Sequence, residues 1–303
     1  MNKNDKVAVC SRSFSKNSIL KAELVKKYKN VTFNVSGEIL KKETLVKFLS
    51  GHNKAIIGLE EIDASILDQL PELKVISKYG VGLDMIDIKA LQKKKVKLGW
   101  SGGVNRRSVS ELVISFAISL LRHIPLCQKE IQKGKWNPRV GSYLTGKTFG
   151  IIGCGNIGKD LVKLLQPFDC KILVNDILSY KNFYEKYNIE QLEIEKLLAK
   201  SEIVSLHVPL NNSTRNFITR QRLALMKKES ILINTARGGL IDEIALKDRL
   251  VEGNFSAALD VFSTEPPEDM ELLNSPNLIV TPHIGGNSYE AILEMGKSAI
   301  NGL

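Results

Sequence analysis

The sequence predicts an α/β protein made of two doubly wound parallel-sheet domains. Three observations predict it. Short β-rich runs alternate with amphipathic helical stretches along most of the chain, the pattern of parallel strands covered by helices. That alternation runs in two series, separated by a long apolar helix and a polar connector. The 303 residues also exceed what one hydrophobic core usually serves.

In the first series KVAVC (6–10) precedes a helical stretch near 16–29, and VTFNV (31–35) precedes another at 41–50. KAIIG (54–58) precedes ASILDQL (64–70), LKVIS (73–77) precedes IDIKALQKK (86–94), and VKLGW (96–100) closes the series. The apolar run SVSELVISFAISLLRHI (108–124) reads as the longest helix. Ser108 is placed to cap its start, Glu111 to complete a capping box, and Pro125 to end it. The polar stretch with Gly134, Pro138 and Gly141 reads as an arm or connector. The second series comprises TFGIIG (148–153), KILVND (171–176), EIVSLHV (202–208), SILINTA (230–236), FSAALDVF (255–262) and LIVTPH (278–283), with helical stretches between most of them.

Composition bounds the function more loosely. An apolar fraction of 43% and a charged fraction of 25% exclude a disordered or fibrous chain. The net charge is +10, and residues 1–103 carry most of it, with 19 Lys+Arg against 11 Asp+Glu. A basic third suits nucleic acid, a membrane surface, an anionic substrate or simply a solvated face. The four cysteines lie far apart and form no C-x-x-C pair, so neither a disulfide scaffold nor a metal site is expected. The N-terminus lacks the apolar core of a signal peptide. The longest apolar stretch, 112–121, is about half the roughly 20 residues that span a bilayer. The chain is therefore read as cytoplasmic, with no membrane partner.

Gly153-Cys154-Gly155-Asn156-Ile157-Gly158 fits G-x-G-x-x-G, directly after a β run and opening a helix. In that context Gly153 allows the tight turn, Gly155 lets a pyrophosphate approach the backbone, and Gly158 permits close helix–strand packing. The helix N-terminus adds N–H groups and positive dipole. Asp176 ends the next strand, 18 residues after Gly158, where a carboxylate can bond a ribose 2′-OH and repel a 2′-phosphate. NAD is expected over NADP, a preference that nearby Lys181 tempers.

Four polar features fall at strand ends of the second series: His207 in SLHVPL, Arg237 in INTARGG, Asp260 with Glu265 in ALDVFSTEP, and His283 in TPHIGG. Open α/β sheets bind ligands at that end. Hydride transfer at a carbinol needs a proton carrier, which a His with a carboxylate partner supplies. It also needs a grip on the substrate carboxylate, which an Arg supplies in bidentate geometry.

With these residues in place, the chain resembles the D-isomer-specific 2-hydroxyacid dehydrogenases, and is most similar to their phosphoglycerate dehydrogenase-like and hydroxypyruvate reductase-like members. The resemblance spans nearly the whole chain: YGVGLD (79–84), NRRSVSEL (105–112), GCGNIG (153–158), SLHVPLNNSTRNFI (205–218), INTARGGLID (233–242), ALDVFSTEP (258–266) and TPHIGG (281–286). It implies a Rossmann NAD-binding domain, 104–286, inserted into a flavodoxin-like substrate domain, 1–103 with 287–303. It implies His283 as the acid/base, Glu265 as its paired carboxylate, and Arg237 as the residue that binds substrate carboxylate and carbonyl. Asp260 would lie near the nicotinamide carboxamide. Asn156, Ile157, His207, Pro209, Thr214, Thr235, Ala236 and Gly285 would join the cofactor contacts. Lys78, Tyr79 and the backbone of Val81 and Gly82 would meet the substrate. A homodimer through the 108–145 helix and arm is implied as well. The basic third then coincides with the substrate domain and suits an anionic 2-keto acid, and nucleic acid becomes the weakest reading.

The chain departs from the phosphoglycerate-specific pattern in places. Glu60-Glu61 stand where those members carry an arginine, and acids suit phosphate poorly. Trp100-Ser101-Gly102 replace an Asn-Thr-Pro run, so that Trp100 either narrows a pocket or packs. No residues follow Leu303, so a C-terminal regulatory domain is not expected. Arg106 and Arg107 either reach an anion or lie on the surface. A phosphoglycerate or glycerate/glyoxylate-type substrate is expected. The competing reading is a non-catalytic NADH-sensing interaction protein on the same fold.

Overall fold

The computed structural model describes residues 5–303. The chain divides into two compact units: residues up to Asn105 together with Asn287–Leu303, and Arg106–Gly286.

The first unit is a five-stranded parallel sheet, β1 (Lys6–Val9), β2 (Asn30–Phe33), β3 (Lys54–Ile57), β4 (Val75–Lys78) and β5 (Lys97–Gly99), in the order β2-β1-β3-β4-β5. This is the doubly wound order of flavodoxin-like folds. Helices α1 (Arg12–Lys16), α2 (Ser18–Lys27), α3 (Lys42–Leu49), α4 (Ala64–Asp68) and α5 (Ile88–Lys94) connect the strands. The helical stretch near 16–29 is α2, and the short α1 precedes it: Asn17 ends α1 and its side chain caps α2, accepting from the Leu20 N–H at 3.1 Å. Alternate residues of each strand feed opposite faces, because side chains alternate across a strand. Ala8 joins Leu45, Ile57 and Ile76 on one face, while Val7 and Val9 join Phe14, Leu20 and Ile56 on the other. The C-terminal helix Tyr289–Gly302 packs on this second face through Met295, Ala299 and Ile300.

The second unit opens with α6 (Arg106–Leu121) and α7 (Ile124–Gln132), whose axes meet at 61°. It continues into β6 (Thr148–Ile152), α8 (Asn156–Leu165), β7 (Lys171–Asn175), α9 (Lys181–Lys186), β8 (Glu190–Gln191), α10 (Ile194–Lys200) and β9 (Ile203–Leu206). Then follow α11 (Arg220–Leu225), β10 (Ile231–Asn234), α12 (Glu243–Val251), β11 (Ser256–Leu259), α13 (Met270–Leu273) and β12 (Leu278–Val280). The seven strands are parallel, in the order β12-β11-β10-β9-β6-β7-β8. Read from β8, this is the Rossmann order with one strand added, and the direction of winding reverses between β6 and β9.

Two local expectations need correction. Helix α6 starts two residues before Ser108, so Ser108 is not a cap; its hydroxyl donates to the Gly285 carbonyl at 2.7 Å. Pro125 does not end that helix: it lies in the first turn of α7, where its missing N–H costs nothing. The strand β8 escaped notice because it is two residues long and polar. Among the described residues no single helix is long and apolar enough to cross a membrane. The buried residues of α6, Val109, Val113, Phe116, Ala117 and Leu120, form the stripe of a core helix.

Candidate active site

At the reversal point of the second unit, the loop after β6 meets the strand ends as the glycine spacing requires. Gly153 has φ +95°, and a Cβ there would stand 2.7 Å from the His207 carbonyl oxygen. A Cβ on Gly158 would stand 2.2 Å from the Gly153 oxygen, so α8 packs on its own loop as only glycine permits. Gly155 differs: a Cβ there would meet nothing within 4 Å, and the residue is exposed at the N-terminus of α8. The turn and the packing glycines are thus occupied by protein, while the middle glycine faces open space, as a pyrophosphate cradle requires.

Asp176 supports this loop. Its Oδ2 accepts from the Cys154 N–H at 2.6 Å and its Oδ1 from the Leu178 N–H at 2.8 Å, which ties the carboxylate to the glycine loop and to its own turn. Burial pushes the Cys154 thiol up to about 11, so it stays protonated and inert at neutral pH. Near the strand ends, two buried polar atoms of the described residues lack a hydrogen-bond partner, His207 Nδ1 and Thr235 Oγ1. Such atoms are costly unless a ligand or water engages them. The glycine cradle, Asp176 and these two atoms fit a dinucleotide. Pro209 and Thr214 tie one exposed loop together, with Thr214 Oγ1 donating to the Pro209 carbonyl at 2.7 Å.

His207 is not an acid/base. Its Nε2 is hydrogen-bonded to Ser205 Oγ at 2.9 Å, and burial drives it down to about 3, so the ring is neutral at physiological pH. His283 is placed otherwise. Its Nδ1 lies 2.9 Å from Glu265 Oε2, and the two side chains are 51% and 41% exposed. A carboxylate only accepts, so Nδ1 carries the hydrogen and Nε2 is left as the working nitrogen. Glu265 is held in turn, with Oε1 accepting from the Phe262 N–H at 3.2 Å.

Asp260 builds the turn that presents His283. It is only 1% exposed, its Oδ1 accepts from Thr281 Oγ1 at 2.6 Å and the Ile284 N–H at 2.7 Å, and its Oδ2 accepts from the Gly285 N–H at 2.7 Å. The His283 N–H bonds the Asp260 carbonyl at 2.9 Å. These bonds hold His283 at φ +55°, a left-handed conformation that a non-glycine residue keeps only when its surroundings impose it. The Asp260 carboxylate is thus committed to this turn on three sides, a supporting duty that the sequence reading did not assign.

Arg237 follows β10 in a turn bracketed by Asn234. The Asn234 amide donates to the Arg237 carbonyl at 2.7 Å and accepts from the Ala236 N–H at 3.0 Å. Gly238 fixes this turn against the Glu265 loop: a Cβ there would fall 1.8 Å from the Phe262 carbonyl carbon. Asn234 was missed, although a polar residue ending a buried four-residue strand is a usable signal. Arg107 pairs with the buried Asp160 of α8, Nε to Oδ2 at 2.9 Å and Nη2 to Oδ1 at 3.1 Å, so this arginine is engaged in structure.

In the first unit, Lys78 and Tyr79 are buried. Lys78 is 3% exposed, and its Nζ donates to the carbonyls of Gly58 and Tyr79. The Gly58 N–H donates to the buried Glu60 at 2.6 Å, so Glu60 faces its own loop. The Tyr79 ring sets its edge on Phe14, with centroids 5.4 Å apart. Both side chains pack within the first unit, and Lys78 lies beneath Gly80, where a Cβ would stand 3.1 Å from its Nζ.

The model of the D-isomer specific 2-hydroxyacid dehydrogenase NAD binding domain matches residues 114–285. A hydroxypyruvate reductase of Thermotoga maritima is 36% identical over 86% of this chain and 87% of its own length. A D-3-phosphoglycerate dehydrogenase of Methanocaldococcus jannaschii is 37% identical over 85% of this chain, which spans 50% of that protein. The crystal structure of a glyoxylate reductase from Paecilomyes thermophila superposes with a TM-score of 0.85 at 25% identity, covering 98% of this chain and 94% of that one.

Proposed function

The chain belongs to the D-isomer specific 2-hydroxyacid dehydrogenase family, an NAD-dependent family, and from that premise we propose that it reduces a small 2-keto acid through His283, Glu265 and Arg237. The observation that carries this reading is the His283–Glu265 pair at 2.9 Å, set at the carboxyl end of a Rossmann sheet. When bound, the reduced cofactor supplies the hydride to the carbonyl carbon. His283 donates a proton from Nε2 to the carbonyl oxygen, and Glu265 stabilises the imidazolium beforehand and keeps the hydrogen on Nδ1 of the neutral ring afterwards. Arg237 holds the substrate carboxylate and steadies the developing alkoxide. By resemblance to the family, the backbone of Val81 and Gly82 in the first unit is read as a further contact for a substrate carboxylate. In the oxidising direction the neutral imidazole takes the hydroxyl proton.

Hydroxypyruvate, glyoxylate and 3-phosphohydroxypyruvate are the first substrates to consider. The acidic side chain of Glu60 and the inward turn of Lys78 favour the unphosphorylated acids. A homodimer through the arm of the second unit is part of this reading, supported by the exposed apolar side chains of Ile124, Ile131, Trp136, Val140 and Tyr143. The four free thiols suit a reducing cytoplasm. The test is NADH oxidation with these three acids and with pyruvate and branched 2-keto acids. Turnover of at least one supports the reading; turnover of none would leave an NADH-binding protein without catalysis.

A further inference from the structure

We propose that Trp100 is a positioning residue for the substrate carboxylate, and that it acts by orienting the Val81–Gly82 peptide through its indole N–H. The inference rests on the reading that this backbone receives the carboxylate, and names what aims it. Trp100 Nε1 donates to the Val81 carbonyl at 2.9 Å. The Val81 carbonyl and the Gly82 N–H belong to one planar trans peptide and point in opposite directions. Fixing the carbonyl on the indole therefore fixes the Gly82 N–H on the other side. Without that bond the peptide between Val81 and Gly82 has two soft neighbouring dihedrals, and Gly80 before it already stands at φ +125°, a conformation open to glycine alone.

The indole is itself held from behind. Trp100 directly follows β5, and β5 is pinned to the C-terminal helix. A Cβ on Gly99 would stand 2.3 Å from the Gly302 oxygen, and Ser77 Oγ lies 2.6 Å from the Ala299 carbonyl and 3.3 Å from that of Gly99. The backbone that carries Trp100 thus has no room to shift, and the side chain reaches the loop after β4 from a rigid strand end. Trp100 remains 43% exposed, so the ring is not a core residue whose burial accounts for it. One buried lysine, Lys78, supports the same loop from below, and Trp100 clamps it from the side.

A clamp of this kind acts on carboxylate binding equally in ground and transition states, so its loss raises KM and leaves kcat. The experiment compares wild type, Trp100→Phe and Trp100→His with glyoxylate and hydroxypyruvate as substrates and oxalate as a competitive inhibitor. The phenylalanine variant keeps an aromatic ring and loses the donor; the histidine variant keeps a ring N–H. Loss of one neutral hydrogen bond predicts that Trp100→Phe raises KM and the oxalate Ki together by roughly three- to twelvefold. Its kcat, its Kd for NADH and its Tm stay near the wild-type values, and Trp100→His recovers part of the loss. KM and Ki within about twofold of wild type in Trp100→Phe overturn the inference, since even a weak hydrogen bond exceeds that. A loss of NADH affinity and Tm in step with KM overturns it too, as the mark of a merely structural residue. Wild-type protein that reduces no 2-keto acid refutes the underlying reading, and is told apart because the wild type itself is silent.

Discussion

Replacing Asp260 by asparagine tests how the acid/base histidine is held. The carboxylate accepts three hydrogen bonds in a site that is 1% exposed, from Thr281, Ile284 and Gly285. Asparagine keeps one acceptor oxygen, which can serve Thr281 and Ile284. Its amide nitrogen then faces the Gly285 N–H, donor against donor. A buried N–H left without an acceptor, with the charge-assisted bond lost, costs about 2–4 kcal/mol. For a unit of this size that lowers Tm by roughly 5–15 °C. The turn that imposes φ +55° on His283 loosens, and a displacement near 1 Å at the reacting group costs on the order of 10²-fold in kcat. The melt is followed by circular dichroism without NADH, so that a lost cofactor contact cannot produce the shift, and kcat is measured at saturating NADH. An unchanged Tm together with wild-type kcat would refute the claim that Asp260 builds this turn.

The glycines separate packing from ligand binding. Gly155→Ala meets no atom within 4 Å and should fold with an unchanged Tm while binding NADH about tenfold or more weakly, as titration by fluorescence would read. Gly238→Ala has no such room, with its Cβ 1.8 Å from the Phe262 carbonyl carbon, and should fail to give stable protein in a thermal melt. Arg107→Ala strips the buried Asp160 of its ion partner and should cost about 1–3 kcal/mol of stability, read by denaturant titration, with KM unchanged. A rise in KM alone would restore a substrate contact for Arg107. Burial holds Cys154 and Cys170 each near 11, so both should resist iodoacetamide in the native protein at pH 8 and react only after unfolding, by mass spectrometry of the labelled peptides.

Much of the fold was legible because the two sheets are built from continuous apolar runs. The runs Val7–Val9, Ala55–Ile57 and Ile151-Ile152 announce buried parallel strands, and glycine spacing marks the point where the second sheet reverses. The boundaries of α6 were not legible. Arg106 and Arg107 oppose the dipole at a helix start, and only the Asp160 carboxylate, 53 residues on, makes Arg107 acceptable there. The residues that meet at His283 were named from motifs, but their supports were not. Nothing local to Asp260 tells that its carboxylate serves residues 21 to 25 positions later. Lys78 was implied as a substrate contact by resemblance alone, and nothing near it in the sequence tells that its Nζ also donates to the Gly58 carbonyl, 20 residues earlier. Sequence spacing fixes which side chains share a strand end, and hydrogen bonds between distant strand ends decide what each one does.

The central claim, that His283 carries the proton, is tested most directly by His283→Ala. NADH oxidation with the best 2-keto acid and NADH binding by fluorescence are measured on the same preparation. In this variant kcat should fall by about 10²–10⁴-fold while the Kd for NADH is retained. Turnover within a fewfold of wild type would contradict it.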